Sequence, residues 1–123
     1  MSWLYTHGYH AVTMYQLYRY WHHVGTLPPR PFIASFDDGY RQDYTIVMPI
    51  LRRYGWPGVL NLEVNSLSFH LGINRTQVRA LVENGWEINS HTITHPDLRS
   101  LHGWRLHREV SGSRAILKRL LGE

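Results

Sequence analysis

The sequence predicts an α/β domain built on parallel strands, and three observations carry that expectation. Short apolar runs of strand type recur near 32–36, 58–62 and 86–89; helical periodicities separate and follow them; and the first and third runs each open into a polar cluster rich in Asp or His. Alternation of strand and helix at this spacing builds βαβ units, whose strands lie side by side in one direction.

Between Ala11 and His23 the positions Val12, Tyr15, Leu17, Tyr18 and Trp21 give a short helix with an aromatic face, opened by Thr13 as N-cap and closed by Gly25. Leu27-Pro28-Pro29-Arg30-Pro31 is a stiff connector, because proline fixes φ and biases the residue before it away from helix. Phe32-Ile33-Ala34-Ser35-Phe36 is the first buried-type strand. A helix over 41–54 rests on Tyr44, Val47, Met48, Ile50 and Leu51 and stops at Tyr54-Gly55-Trp56-Pro57, glycine then proline.

The second strand covers 58–62, a loop 65–74, and a helix 75–84 with Thr76 near its start and Gly85 past its end. Asn74-Arg75-Thr76 matches a glycosylation acceptor, but it falls where a helix cap is expected, and the cap is the better account. Trp86-Glu87-Ile88-Asn89 is the third strand, 90–97 a polar loop. The last helix runs from about 102 to 121 on Leu106, Val110, Ile116, Leu117, Leu120 and Leu121, with Gly112 its weak point.

Composition excludes several classes. The 123 residues are 43% hydrophobic, enough for one small core, and no run approaches the ~18 apolar residues of a membrane span. No secretory signal is recognisable in the first twenty residues. With no cysteine, a metal must be held by nitrogen and oxygen. The net charge of +4 is concentrated at 99–119, where Arg99, Arg105, Arg108, Arg114, Lys118 and Arg119 face one acid, Glu109. That pattern is read as the solvated face of an amphipathic helix; no nucleic-acid recognition motif accompanies it, and no nucleic-acid partner is expected.

The chemistry sits in the two polar clusters, Ser35-Phe36-Asp37-Asp38-Gly39-Tyr40 and Ser90-His91-Thr92-Ile93-Thr94-His95-Pro96. The carboxyl ends of parallel strands share one rim, so both clusters should face a common crevice. Adjacent carboxylates in a partly dry site need a cation or basic group to neutralise one of them. His91 and His95, four apart, can turn their rings toward one ion, and two imidazoles with one carboxylate leave coordination positions open for water and substrate. Each cluster alone has a plainer account: Asp-Asp-Gly is a common turn in which Gly39 supplies a positive φ, and His-x-x-x-His arises by chance among nine histidines or through a His91–Asp97 pair. Their joint placement favours a divalent metal. The remaining histidines have no partner at ligand spacing on a strand end and are read as surface or packing residues.

Those residues carry a resemblance. Ile33-Ala34-Ser35-Phe36-Asp37-Asp38-Gly39-Tyr40 is similar to the first motif, usually Thr-Phe-Asp-Asp-Gly, of the polysaccharide deacetylases of carbohydrate esterase family 4, the nodulation-deacetylase homology group. His91-Thr92-Ile93-Thr94-His95-Pro96-Asp97-Leu98 resembles the second, His-Ser/Thr-x-x-His, and both Pro49-Ile50-Leu51-Arg52-Arg53-Tyr54-Gly55 and Gly85-Trp86-Glu87-Ile88-Asn89-Ser90 fit the context. The resemblance implies Asp37 as general base, Asp38, His91 and His95 as ligands of a divalent metal, zinc before others, with Gly39 and Thr92 supporting the site. It implies a distorted barrel of about seven βα units, of which residues 1–123 hold about three, as one partial domain with a leader helix and Pro-rich connector at 1–30 and both motifs within 31–123.

By the same resemblance the activity is metal-dependent hydrolysis of N-acetyl or O-acetyl groups from a cell-envelope glycan, an N-acetylglucosamine polymer or peptidoglycan, outside the cytoplasm. The family's later segments, an Arg and Pro-aromatic stretch, an acidic-Trp stretch and a Leu-x-His that supplies the general acid, have no counterpart here. The expectation is therefore a truncated domain, weak or inactive alone, that leaves an open sheet edge and an uncovered apolar face and self-associates through that edge. A non-catalytic carbohydrate-binding remnant of the same fold is the alternative, and the intact Asp37 argues against it.

Overall fold

The computed structural model describes residues 1–122, beginning with helix α1 (Ser2–Thr6) and strand β1 (His10–Ala11). Helix α2 (Met14–Trp21) follows, and Thr13 caps it as expected. Thr13 Oγ1 accepts the Gln16 N–H at 3.1 Å while Gln16 Oε1 accepts the Thr13 N–H at 2.8 Å, so two otherwise orphaned donors are satisfied reciprocally. Strand β2 (Pro31–Phe32) pairs in parallel with β1 as a small separate ribbon.

Strands β3 (Ser35–Asp38), β4 (Val59–Leu62) and β5 (Glu87–Ser90) form the main sheet, all parallel, in the order β3-β4-β5. The single strand expected over 32–36 is corrected here. The apolar run changes partner after Phe32, and the strand that joins the main sheet extends through Asp37 and Asp38. The two acids thus end a strand instead of following it.

The helix expected over 41–54 is a π segment (Asp43–Val47) leading into α3 (Met48–Arg52). Pro49 has no N–H for the carbonyl four residues back, and the ladder widens ahead of it, with the Met48 N–H reaching the Asp43 carbonyl. The expected loop at 65–74 contains a 3₁₀ turn (Val64–Ser68) before α4 (Arg75–Glu83). Asn74 caps α4 in a reciprocal pair with Gln77, as the cap reading of that segment requires. After a short 3₁₀ turn (Leu98–Ser100), the last helix comprises α5 (Gly103–His107), a π segment (Arg108–Gly112) and α6 (Ser113–Leu121). Its regular winding is interrupted over Arg108–Gly112, a segment that ends at the glycine expected to be its weak point.

Alternation along the strands sorts the sheet into two faces. Leu60 and Leu62 point into the helical layer, where Leu51, Ile73, Val78, Leu81, Leu117 and Leu120 bury them. Gly58 lets the Trp86 ring lie against the start of β4, since a Cβ there would stand 2.7 Å from the ring. The opposite face carries Ser35, Asp37, Asn61, Glu87 and Asn89 around a buried Val59. That corrects the expected apolar face: what the helices leave uncovered is mostly polar and internally hydrogen-bonded. Asn89 Nδ2 donates to Glu87 Oε1 at 3.0 Å, and Glu87 Oε2 accepts the Tyr15 N–H at 2.8 Å, tying α2 to the amino end of the sheet. No helix among the described residues is long and apolar enough to cross a membrane.

Candidate metal centre

The register sets Asp38 level with Leu62 and Ser90, so the carboxyl ends of β3 and β5 flank that of β4. At ~4.8 Å per strand spacing, β3 and β5 stand roughly 10 Å apart, a gap that side chains reaching in from both sides can close. The His91 N–H donates to the Leu62 carbonyl at 3.0 Å, which carries the histidine loop back across β4 toward Asp38. As a result Asp38, His91 and His95 each offer a donor atom within 4.8 Å of the others.

The separations are those that a single ion requires. His91 Nε2 and His95 Nε2 are 3.0 Å apart, and each lies 3.6 Å from Asp38 Oδ1. A point equidistant from three atoms so arranged is about 2.0 Å from each, the bond length zinc takes to imidazole nitrogen and carboxylate oxygen. Without a cation one ring must donate to the other, and buried Asp38 Oδ1 still has no donor. One divalent ion would satisfy all three acceptors, so the donor set fits the metal that the sequence leads one to expect. The two imidazoles are partly open to solvent, which keeps the site accessible.

The backbone is bent to achieve this. Asp38, Thr92 and His95 have φ of 72°, 70° and 52°, in the left-handed region that L-residues seldom occupy and a β-branched residue least of all. Such strain, on the order of 1–3 kcal/mol per residue, persists where surrounding contacts over-determine the conformation. At Thr92 the compensation is visible: its Oγ1 accepts the His95 N–H at 3.0 Å. Gly39 follows at φ 91°, and a Cβ there would lie 2.4 Å from Leu62 Cδ1, so the turn that carries the acids off the sheet needs glycine for both conformation and space.

Asp37 is exposed on the polar face, and its Oδ1 accepts a hydrogen bond from Asn61 Nδ2 at 2.7 Å, leaving Oδ2 free. Asp97 pairs with Arg99, both through the Arg99 N–H and the guanidinium, and so does not engage His91. A cleft of about 720 Å³ runs beside the imidazoles between β5 and α6, lined by Asn89, Ser90, His91, His95, Arg114 and Lys118 among others. Asn61 and Glu109 were not singled out by the sequence. The signal for Asn61 is a lone amide inside an apolar strand; that for Glu109 is a lone acid among cations.

Comparison with known proteins agrees with this architecture. The profile of the polysaccharide deacetylase family matches residues 25–123. A Bacillus subtilis protein, YxkH, assigned to the polysaccharide deacetylases, is 25% identical over 116 residues, 94% of this chain and 42% of its own length. The poly-beta-1,6-N-acetyl-D-glucosamine N-deacetylase of Escherichia coli is 42% identical over 59 residues, 47% of this chain and 9% of its own. Among solved structures, the deacetylase PplD of Streptococcus pyogenes, in complex with acetate, superposes with TM-score 0.90 at 20% identity, covering 98% of this chain and 54% of that one. The deacetylase domain of BpsB from Bordetella bronchiseptica gives 0.85 at 20%, covering 99% and 63%. These structural likenesses are of fold, and this chain spans about two fifths of the Bacillus relative. The fold is thus α/β with parallel strands, part of a deacetylase-type barrel, and the chain belongs to the polysaccharide deacetylase family.

Proposed function

We propose that this chain carries the metal-binding half of a deacetylase that hydrolyses acetyl groups from an acetylated glycan, with Asp38, His91 and His95 as metal ligands and Asp37 as general base. The observation that supports it most is the convergence of one carboxylate and two imidazoles on a common point, with a buried carboxylate oxygen left without a donor. The substrate is an N-acetylglucosamine polymer or peptidoglycan of the cell envelope, outside the cytoplasm. The name of the Escherichia coli relative, similar over 59 residues, supports the first of these. O-acetylated glycans are the second substrate class.

Asp38, His91 and His95 would hold the divalent ion, zinc before others, which when bound would supply Lewis-acid polarisation of the acetyl carbonyl and acidify a water. Asp37 would take a proton from the attacking water at Oδ2, the oxygen that Asn61 leaves free, while the Asn61 amide fixes the carboxylate's rotation. Asp38 holds no proton-transfer role, since its Oδ1 faces the imidazoles. The cleft beside His91 and His95 is of a size that takes a sugar. Water and acetamide give acetate and a free amine. Self-association through an unpaired strand of the sheet accompanies this reading.

Acetate release from N-acetylglucosamine oligomers at zinc saturation tests the reaction. Slow release that Asp37→Asn and His91→Ala both abolish is expected; release that survives either substitution contradicts it. No release, with zinc still bound through His91, fits the inactive form of this reading, whereas glycan binding unaffected by His91→Ala and Asp37→Asn returns the chain to a carbohydrate-binding role.

A further inference from the structure

The segment that presents both imidazoles, residues 91–95, has no regular secondary structure, and two of its residues lie in the left-handed region. Such a loop does not keep two ring nitrogens 3.0 Å apart by itself. Part of its support comes from residues 63–65, whose Val64 and Asn65 N–H groups donate to the Thr92 and Ile93 carbonyls. Its N–H and hydroxyl groups are met from elsewhere. Glu109, only 5% exposed, accepts the Ile93 N–H at 2.8 Å and the Thr94 N–H at 2.9 Å on Oε2, and the Thr94 hydroxyl at 3.0 Å on Oε1.

Four residues on, buried Ser113 does the same for the start of the loop. Its hydroxyl donates to the Val110 carbonyl at 2.8 Å, which leaves Ser90 as donor in the 2.6 Å contact between the two serines. Ser90 Oγ in turn accepts the Thr92 N–H at 3.3 Å. The last helix therefore grips the loop at two places, directly before His91 and directly before His95. Glu109 lies within the π segment of that helix and Ser113 just after it, a departure from regular winding of the kind often found at functional sites.

Resting on the metal reading above, we infer that Glu109 and Ser113 are positioning residues: the last helix holds the histidine loop preset for a divalent cation through a buried carboxylate and a buried serine pair. The carboxylate's charge is met chiefly by peptide and hydroxyl donors, with the charge of Arg108 adding less, so its main role is to receive three hydrogen bonds at fixed points. Glutamine can nearly reproduce this. Its carbonyl oxygen accepts the two N–H groups, and its amide donates to the Thr94 hydroxyl, which can reverse to accept.

The test uses the whole chain, with zinc affinity measured by competition with a chromophoric chelator and geometry by the visible spectrum of the cobalt(II) form. Glu109→Ala should weaken zinc binding by ~10–100-fold, the usual effect of removing a partner that orients metal ligands, and alter the cobalt bands. Glu109→Gln should restore both to near wild type, and Ser113→Ala should show a smaller loss in the same direction. A purely structural Glu109 would lower the melting temperature of Glu109→Ala while leaving zinc affinity and cobalt spectrum unchanged, and that result overturns the inference. Should Glu109→Ala not fold, Thr94→Val and Ser113→Ala carry the comparison, and wild-type affinity and spectrum in both overturn it. His91→Ala separates the two levels: if it binds zinc as well as wild type, the metal reading itself falls; if it loses zinc while the Glu109 and Ser113 variants do not, only the positioning role does.

Discussion

Two buried carboxylates near the site respond to pH in opposite senses. Burial pushes the Asp43 carboxyl up, from an ordinary 3.8 to about 6; the Tyr40 N–H acts against this, and the nearby charge of Asp38 adds to it. The folded state thus holds a proton that the unfolded state releases earlier, so stability falls as pH rises from the ordinary carboxylate range through about 6. For Glu109 burial also acts upward, but the Thr94 and Ile93 N–H groups and the Thr94 hydroxyl outweigh it and hold the carboxyl below its usual range. Its contribution is complete above that range and is lost as pH falls through the lowered folded value. In metal-free chain, Asp43→Asn should raise the melting temperature near pH 7.5 and lose that advantage on acidification, whereas the cost of Glu109→Gln should be largest near neutrality and shrink in acid. Thermal denaturation with chelator across this range checks both signs. Gly39→Ala should cost roughly 1–3 kcal/mol from overpacking against Leu62, with backbone strain added, measured by urea unfolding. At this scale Asp37, Asp38, His91 and His95 stood out as candidates because Asp37-Asp38 and His91-x-x-x-His95 are short-range patterns, and the structure brings the last three together. Asn61 and Glu109 were not, since what they touch lies 24 and 15 or 16 residues away, beyond any local spacing.

Elements were legible where one physical cause acted alone. Thr13 and Asn74 announce α2 and α4 because a short polar side chain before an apolar periodicity has few other uses, and both form capping boxes. Asn74→Ala should cost about 1 kcal/mol by thermal unfolding, yet leave zinc affinity unchanged, because α4 packs against the sheet and does not grip the histidine loop. Boundaries failed where two causes met. The run from Phe32 to Phe36 is continuously apolar, and its hydrophobicity does not record that the chain leaves the β1–β2 ribbon after Phe32 and joins β4 at Ser35. The helix over 41–54 has correct periodicity, but Pro49 removes one donor and the ladder widens into a π segment, a rearrangement that side-chain periodicity cannot encode.

At the scale of the molecule, β3 and β5 each pair only with β4, so among the described residues both flanks of the main sheet keep unpaired peptide groups. Unpaired edges recruit partners. The chain should therefore run above monomer mass in light scattering coupled to size-exclusion chromatography; a stable, well-folded monomer contradicts self-association. The polar face of the sheet fits a barrel interior that carries Asp37 toward the rim; it was not legible because an apolar run marks a strand without marking which of its faces is buried. The whole account rests on a cation bridging two strand ends. Crystals of the zinc-loaded chain, measured at the zinc absorption edge, address that most directly. The account predicts one anomalous peak at about 2.0–2.2 Å from Asp38, His91 and His95 together. A peak elsewhere, or none with those three side chains ordered, would contradict it.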